Sequence, residues 1–579
     1  MGFHIIEDRP TPPAVYNWRV YLMGCCIAFG ALTFGYDAAF IGTTITRPGF
    51  TAAFGIDEMT ASEKINNSAN LTSSFTAACF FGAVFAWPMM EAWGRRPALQ
   101  VSAAIFNIGA IVMTAATHQL SMIYAGRVMT GLGVGIITAV VPSFLAELSP
   151  PPIRGVLTGL FEIAYQIGNL IGFWINYGVT HTIDLHSSKS YRIPIAVQLI
   201  PGGLFAIGCM FFKESPMLLI KRGREAEAIA NLEWLRMLPG DHLYIQEELR
   251  MIHARIEEES KVAGGEGKGI KGYFVGCIRE MKVPSIRHRF ALVLGMMFLQ
   301  NFSGAITINY YSPSIFKAIG LTDVTLWTGI YGVFKASGAI LFFMFGIDRF
   351  GRRNPWMLSA ACCGLCLIYL GAYIKVGHPG TATVLSESTK KGGNAATAII
   401  MLYALFWSFG GNGLPWIVSA EIFPVRLRSL AGSWAGINQW LASFAATQAF
   451  PKMLSKMDWG VFIFFAGVCA ATVYVTSSWA FHAIGMVPYR RICLVVVHPL
   501  TCQCICSIFT FIWIPETKGI PIECMDSLFG GPTRHMQWRQ KRTYPPNGVP
   551  TLAIDSPHHV ETPYEGKKEA DDFLEHSSV

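Results

Sequence analysis

Asp37 is where chemistry is most to be expected, because it stands where a charge is least welcome. It lies inside an apolar stretch, 18–44, long enough to cross a bilayer. An ionised carboxylate in lipid is costly, and such residues usually work for a living function rather than for packing. Arg127 sits in another apolar stretch, 121–146, and is the natural counter-ion. A carboxyl group that alternates between pairing with a cation and holding a proton can carry H⁺. The expected role is therefore proton coupling at Asp37, with Arg127 setting its affinity for the proton. The competing reading is a purely structural ion pair.

A second set of charges is written twice. Ala146-Glu147-Leu148-Ser149-Pro150 is followed by Arg154, and Ala420-Glu421-Ile422-Phe423-Pro424 by Arg428, with the same Glu-to-Arg spacing. Each copy lies downstream of a Gly-Arg-Arg turn, Gly94-Arg95-Arg96 and Gly351-Arg352-Arg353, the second with Arg349 just before it. Salt bridges that exist in only one conformation bias a two-state equilibrium and so act as a latch. Simple positive anchors would explain the arginines but not the paired glutamates. The candidate gate is thus Arg95, Arg96, Glu147 and Arg154 in one half, and Arg349, Arg352, Arg353, Glu421 and Arg428 in the other.

The elements that position these groups are membrane helices. Of the 579 residues 52% are hydrophobic and only 14% charged, against roughly a quarter charged in soluble proteins. A spanning helix takes about 20 apolar residues. That scale predicts helices near 18–44, 70–90, 98–117, 121–146, 155–179 and 193–212. A polar stretch, 213–287, follows. Further helices are expected near 288–316, 322–346, 355–376, 396–420, 430–454 and from 459 onward. The fold class is all-α integral membrane: two pseudo-symmetric six-helix halves, 18–212 and 288–529, of the kind that rock around a shared midplane site. The linker contains Gly223-Arg224-Glu225-Ala226-Glu227-Ala228 and Ile245-Gln246-Glu247-Glu248-Leu249-Arg250, which favour short amphipathic helices. Residues 1–17 read as a cytoplasmic N-terminus and 530–579 as a disordered tail.

Charge placement orients the chain. Arg95, Arg96, Arg154, the linker, Arg349 to Arg353, Arg426 and Arg428 all fall on one side of this helix count, which should be the cytoplasm with both termini inside. The loops 45–69, 180–191 and 377–395 are poorer in basic residues and read as external. The same rule accounts for the net charge of +8 without nucleic acid. No cleavable signal peptide is visible. No nucleophile–base constellation, metal-ligand spacing or phosphate-cradling loop is present, so neither an enzyme nor a metal or cofactor is expected. The 14 cysteines are mostly scattered through apolar segments as small hydrophobes. Asn66-Asn67-Ser68 is a glycosylation triplet on an expected external loop, with a chance match as the alternative.

One region resists this pattern. Between Trp459-Gly460 and Pro515-Glu516-Thr517-Lys518-Gly519 the chain is longer by about one helix. The surplus includes Tyr489-Arg490-Arg491 and the cluster Cys502-Gln503-Cys504-Ile505-Cys506. Either 473–503 is a genuine insertion or it is translated intron. The second is favoured, since a thirteenth span would put the tail outside.

Taken in order, Gly35-Tyr36-Asp37, Gly126-Arg127 with Gly131, Gly133 and Gly135, Pro142, Arg154-Gly155, Glu214-Ser215-Pro216, Gln300 with Ser303-Gly304 and Tyr310-Tyr311, Asp348 to Arg353, Pro415-Trp416 and the closing Pro-Glu-Thr-Lys-Gly resemble the sugar porter family of the major facilitator superfamily. Phe85-Ala86-Trp87-Pro88, Gly172 to Gly178 and Gln300-Asn301 resemble its fungal quinate-permease-like branch. The resemblance implies a substrate site at Gln300, Asn301, Trp416, Gln439 and Trp440, with Phe34, Asn169 and Asn309 nearby. It also implies that the charge clusters close the inner side, and that an aspartate at position 37 marks proton-coupled members. Three positions depart from the family. Glu91 and Ala92 replace an Asp-Arg pair, which implies a weaker latch in the first half. Ile306 replaces a sugar-contacting asparagine, and Glu162 replaces a sugar-contacting glutamine. Protonated, Glu162 would donate to a polyhydroxy acid; ionised, it would accept from a neutral polyol.

The expected function is therefore plasma-membrane proton symport of a monosaccharide or sugar-like polyol acid, by a monomeric unit whose partners are that small molecule, the proton and the bilayer. The alternatives are a passive facilitator, which Asp37 disfavours, and a non-transporting nutrient sensor, which the short tail disfavours.

Overall fold

The computed structural model describes residues 11–150, 153–262, 270–321, 323–346, 350–377, 379, 387–423 and 427–483. Among these the regular structure is helical throughout. The first half contains α1 (Trp18–Thr44), α2 (Ala61–Ala92), α3 (Arg95–Ala115), α4 (Leu120–Leu148), α5 (Arg154–Thr182) and α6 (Lys189–Phe211). The second contains α7 (Pro284–Lys317), α8 (Val324–Gly346), α9 (Arg353–Gly377), α10 (Glu387–Ile422), α11 (Arg428–Met457) and α12 (Gly460–Ala483). The helices α1 to α10 are each long and apolar enough to cross a membrane, and α11 and α12 complete the second set of six. Large apolar side chains such as Phe81, Ile108, Ile207, Phe345 and Leu365 point outward, where only lipid could cover them. The all-helical membrane architecture read from the sequence is borne out.

The halves meet along two seams, α2 against α11 and α5 against α8, and α1 crosses the second part of α7. The two seams are the same pairing with the halves exchanged. Within the first half α1 lies tightly on α5, because a side chain at Gly35 would strike the Tyr165 carbonyl and one at Gly168 the Leu32 carbonyl. Small residues allow this backbone approach, which is how membrane helices pack when lipid removes the hydrophobic driving force.

Several boundaries differ from expectation. The helix α2 starts at Ala61 rather than near 70, so the loop read as 45–69 is shorter. Its first turn is fixed by a capping box in which Thr60 Oγ1 accepts from Glu63 N at 3.3 Å and Thr60 N donates to Glu63 Oε2 at 2.8 Å. Asn66 consequently stands, half-buried, in a helix and not in a loop. The helix α7 begins at Pro284, not 288, with proline at a first-turn position where no N–H is needed.

The stretch 213–287 forms helices Pro216–Lys221, Glu225–Arg236, Leu243–Val262 and Ile270–Met281 before α7. The first three are tied to the Arg-rich, basic end of the first half, whereas Ile270–Met281 packs on α7. Arg236 is buried, donating to the Leu148 carbonyl at 3.0 Å and to Glu248 at 2.6 Å. Asn17 donates to the Leu235 carbonyl at 2.8 Å, and Arg222 to the carbonyls of Ala92 and Trp93. The tail 530–579, the cysteine cluster and residues 484–503 of the surplus segment lie outside the described residues.

Candidate functional site

Asp37 and Arg127 meet. Arg127 Nη1 donates to Asp37 Oδ1, and both side chains are 0% exposed. The guanidinium also lies 4.4 Å from the Phe75 ring centroid, and its Nε reaches the Leu71 carbonyl at 3.4 Å. The pair is therefore contained in the first half, between α1 and α4 and walled by α2. A buried ion pair of this kind survives only with such extra partners.

Beside it, two interrupted helices bring polar groups to the midline. The helix α7 breaks immediately after Gln300-Asn301, where Gly304 takes φ 96°, a backbone conformation that favours glycine. The helix α10 loosens into a π-turn at Trp407–Gly411 before Asn412 and Gly413. The two breaks face each other: Gln300 Nε2 donates to the Gly411 carbonyl at 3.2 Å and to that of Asn412. Irregular backbone inside a membrane protein is tolerated where it lines a cavity or binding site.

The amides form a chain across the molecule. Asn301 Nδ2 donates to Gln439 Oε1 at 2.8 Å, and Ser443 Oγ to Asn301 Oδ1 at 2.7 Å. Asn309 Nδ2 donates to Asn169 Oδ1 at 3.0 Å, joining α7 to α5. Asn412 Nδ2 donates to Glu162 Oε1, joining α10 to α5, and Gln166 Nε2 donates to the same oxygen at 3.0 Å. Trp440 Nε1 reaches Thr138 Oγ1 at 3.0 Å. Phe34 stacks on Tyr165 with centroids 4.4 Å apart and meets Trp440 edge-on at 5.1 Å. Gln300 Oε1 and Gln166 Oε1 are buried acceptors without a hydrogen-bond partner among the described residues. Unpaired buried acceptors next to aromatic faces suit the hydroxyls and ring of a polyol.

Of the residues carried over by resemblance, the structure thus brings together Phe34, Glu162, Asn169, Gln300, Asn301, Asn309, Gln439 and Trp440. Trp416 stands apart, packed on Phe161 and on the apolar cluster around Phe290 and Val418. Two residues of the site were not singled out from the sequence. Asn412 gave no signal beyond an amide in an apolar run. Lys335 is a lone cation near the middle of α8, an intramembrane charge of the same class as Asp37. Its Nζ donates to Asn309 Oδ1 at 2.8 Å and lies 5.3 Å from the Tyr165 ring centroid.

At the basic end Arg95 donates to Glu147 Oε1 from Nε at 3.2 Å and from Nη2 at 2.9 Å. Its Nη2 also reaches Ser429 Oγ at 3.1 Å, a link between the halves. Glu91 is within 3.9 Å of Arg95 and 3.4 Å of Lys221, so an acid does face the first turn despite the altered sequence. Arg96 turns elsewhere, its Nη2 donating to the Met210 carbonyl at 2.8 Å, while its backbone N–H meets Glu214. In the second half Arg352 Nη2 holds Glu421 Oε1 at 2.8 Å. Arg154 opens α5 and Arg353 opens α9; Arg349 and the side chain of Arg428 lie outside the described residues. At the opposite end Ser73 Oγ donates to Gln448 Oε1 at 2.6 Å and Gln448 Nε2 to Asn70 Oδ1 at 3.0 Å. The halves touch at both ends, and the amide chain is enclosed between them.

Comparison with known proteins agrees with this architecture. Residues 23–486 match the family described as Sugar (and other) transporter. The chain is 40% identical over 534 residues to a probable quinate permease of Aspergillus niger, covering 91% of this chain and 90% of that protein. It is 39% identical over 534 residues to one of Neosartorya fischeri, with the same coverage. Its fold is similar to the proton:xylose symporter XylE bound to 6-bromo-6-deoxy-D-glucose, with TM-score 0.68 at 20% identity over 88% of this chain and 99% of that one. The inward open conformation of XylE from E. coli gives 0.63 at 20% identity, with the same coverage. The chain belongs to the sugar transporter family: it is a multi-pass membrane transporter, not an enzyme.

Proposed function

We propose that this transporter imports a sugar-like polyol or polyhydroxy acid together with a proton, across the plasma membrane, by alternating access. The observation that carries the reading is the fully buried Asp37–Arg127 pair next to the amide chain that joins the halves. Asp37 takes a proton from one side, loosening its hold on Arg127, and releases it on the other as the halves rock. Substrate hydroxyls replace the amide-to-amide bonds, Asn309–Asn169 between the halves and Asn301–Gln439 within the second half, so that ligand rather than protein links α7 to α5. The Arg95–Glu147 and Arg352–Glu421 bridges face the cytoplasm and hold that side shut until the cycle turns. The probable quinate permeases among its relatives suggest a cyclic polyol acid as one substrate.

Uptake of labelled quinate, xylose and glucose in transporter-deficient yeast, with and without a proton uncoupler, tests this reading. Accumulation above the external concentration that collapses with the uncoupler is expected. Equilibration unaffected by the uncoupler would assign a passive facilitator instead.

A further inference from the structure

We infer that Lys335 is the anchor for a substrate carboxylate, which makes this carrier selective for polyhydroxy acids over neutral sugars. The inference rests on the transport reading above for where the ligand sits, and adds which charge it bears. Lys335 is 2% exposed and comes from α8, on the seam with α5. An ammonium group offers three donors. Only one is used among the described residues, toward Asn309 Oδ1 at 2.8 Å, and Lys335 makes no ion pair among them. A lysine near a helix end can snorkel to the membrane surface. This one instead turns inward, its Nζ on the amide that joins α7 to α5 and beside the Tyr165 ring that stacks on Phe34.

Glu162 is the acid that feels this charge, yet it does not take it as a partner. Its Oε1 is occupied by Asn412 and Gln166, and the two charges interact at longer range only. Lys335 is thus a buried cation with unfilled donors, held beside the Asn309–Asn169 amide pair and the Tyr165–Phe34 aromatic faces. A monocarboxylate carried on a hydroxylated ring supplies what is missing: two charged acceptors for the ammonium, and hydroxyls for Gln300 Oε1 and Gln166 Oε1. A neutral sugar would leave the ammonium under-bonded, and a site built around a charged donor rejects ligands that leave it unpaired.

The test uses the purified full-length protein and two probes of one shape: quinate, and quinamide, in which a neutral amide replaces the carboxylate. Ligand-induced thermal stabilisation reports binding whether or not protons move. Quinate should bind at least about tenfold more tightly than quinamide, the size of one charge-assisted contact. Lys335→Gln should erase that preference, and Lys335→Arg should keep most of it. Equal binding of the two probes by the native protein, binding of neither, or an unchanged preference in Lys335→Gln would each overturn the inference. Proton coupling is measured separately in sealed vesicles. A carrier that prefers quinate but moves it passively refutes the symport reading alone, and a proton-coupled carrier indifferent to ligand charge refutes the role of Lys335 alone.

Discussion

Asp37–Arg127 and Glu162–Lys335 each place one acid and one base in the middle of the membrane, but only the first two touch. The first pair is completed within a single half, its members on α1 and α4, and closed by the Phe75 face and the Leu71 carbonyl. The second pair straddles the seam between α5 and α8, and each member is held by amides rather than by the other. A closed pair inside one rigid half can change its protonation without asking the halves to move. An open pair divided between the halves offers charge to a ligand and changes its spacing whenever they move. On the proposed reading, the same chemistry is thereby split into a proton site and a ligand site by where the partners are anchored.

The largest way to break this contrast is to open the closed pair. Arg127→Leu leaves Asp37 buried without its cation and should cost about 3–5 kcal/mol, seen as a collapse in melting temperature or loss of monodisperse protein. Next comes Asp37→Asn, which removes the titrating group but keeps the shape: uphill uptake driven by a pH gradient should vanish while exchange of internal for external substrate persists. Retained uphill uptake would assign coupling elsewhere. A smaller effect is expected at the open pair. Glu162→Gln removes a negative charge that competes for Lys335, so affinity for an anionic ligand should rise by roughly three- to tenfold, a ~1 kcal/mol interaction, with neutral ligands little changed. An unchanged ranking of ligands would take Glu162 out of the site. A change of comparable size is expected at the basic end. Glu147→Gln or Glu421→Gln removes one latch and should shift the halves toward opening on that side by about 1–3 kcal/mol, read as faster labelling of a cysteine placed there.

How much of this was legible in the sequence depended on what kind of signal each residue leaves. Asp37 and Arg127 announced themselves as charges in apolar runs, and the repeated Glu-to-Arg spacing gave both halves. Lys335 left the same kind of mark as Asp37, yet it belonged to no repeated phrase, and a single lysine reads as a snorkelling side chain until its direction is known. The amides were reachable only through resemblance, because an Asn in a membrane helix can equally be packing glue. Asn412 could not be found at all: its role depends on a π-turn in α10, which no local pattern declares. The early start of α2 was written plainly in Thr60-Ala61-Ser62-Glu63 but was masked by a hydropathy scale that ignores capping.

The linker carries a mechanical consequence. With Arg236 seated on the end of α4, Asn17 on Leu235 and Arg222 on the turn after α2, the helices from Pro216 to Arg236 must travel as cargo of the first half. A fluorescent dye at exposed Glu227 would therefore follow that half faithfully, and its energy transfer to a second dye on the far half would time each stroke of the cycle in a single molecule.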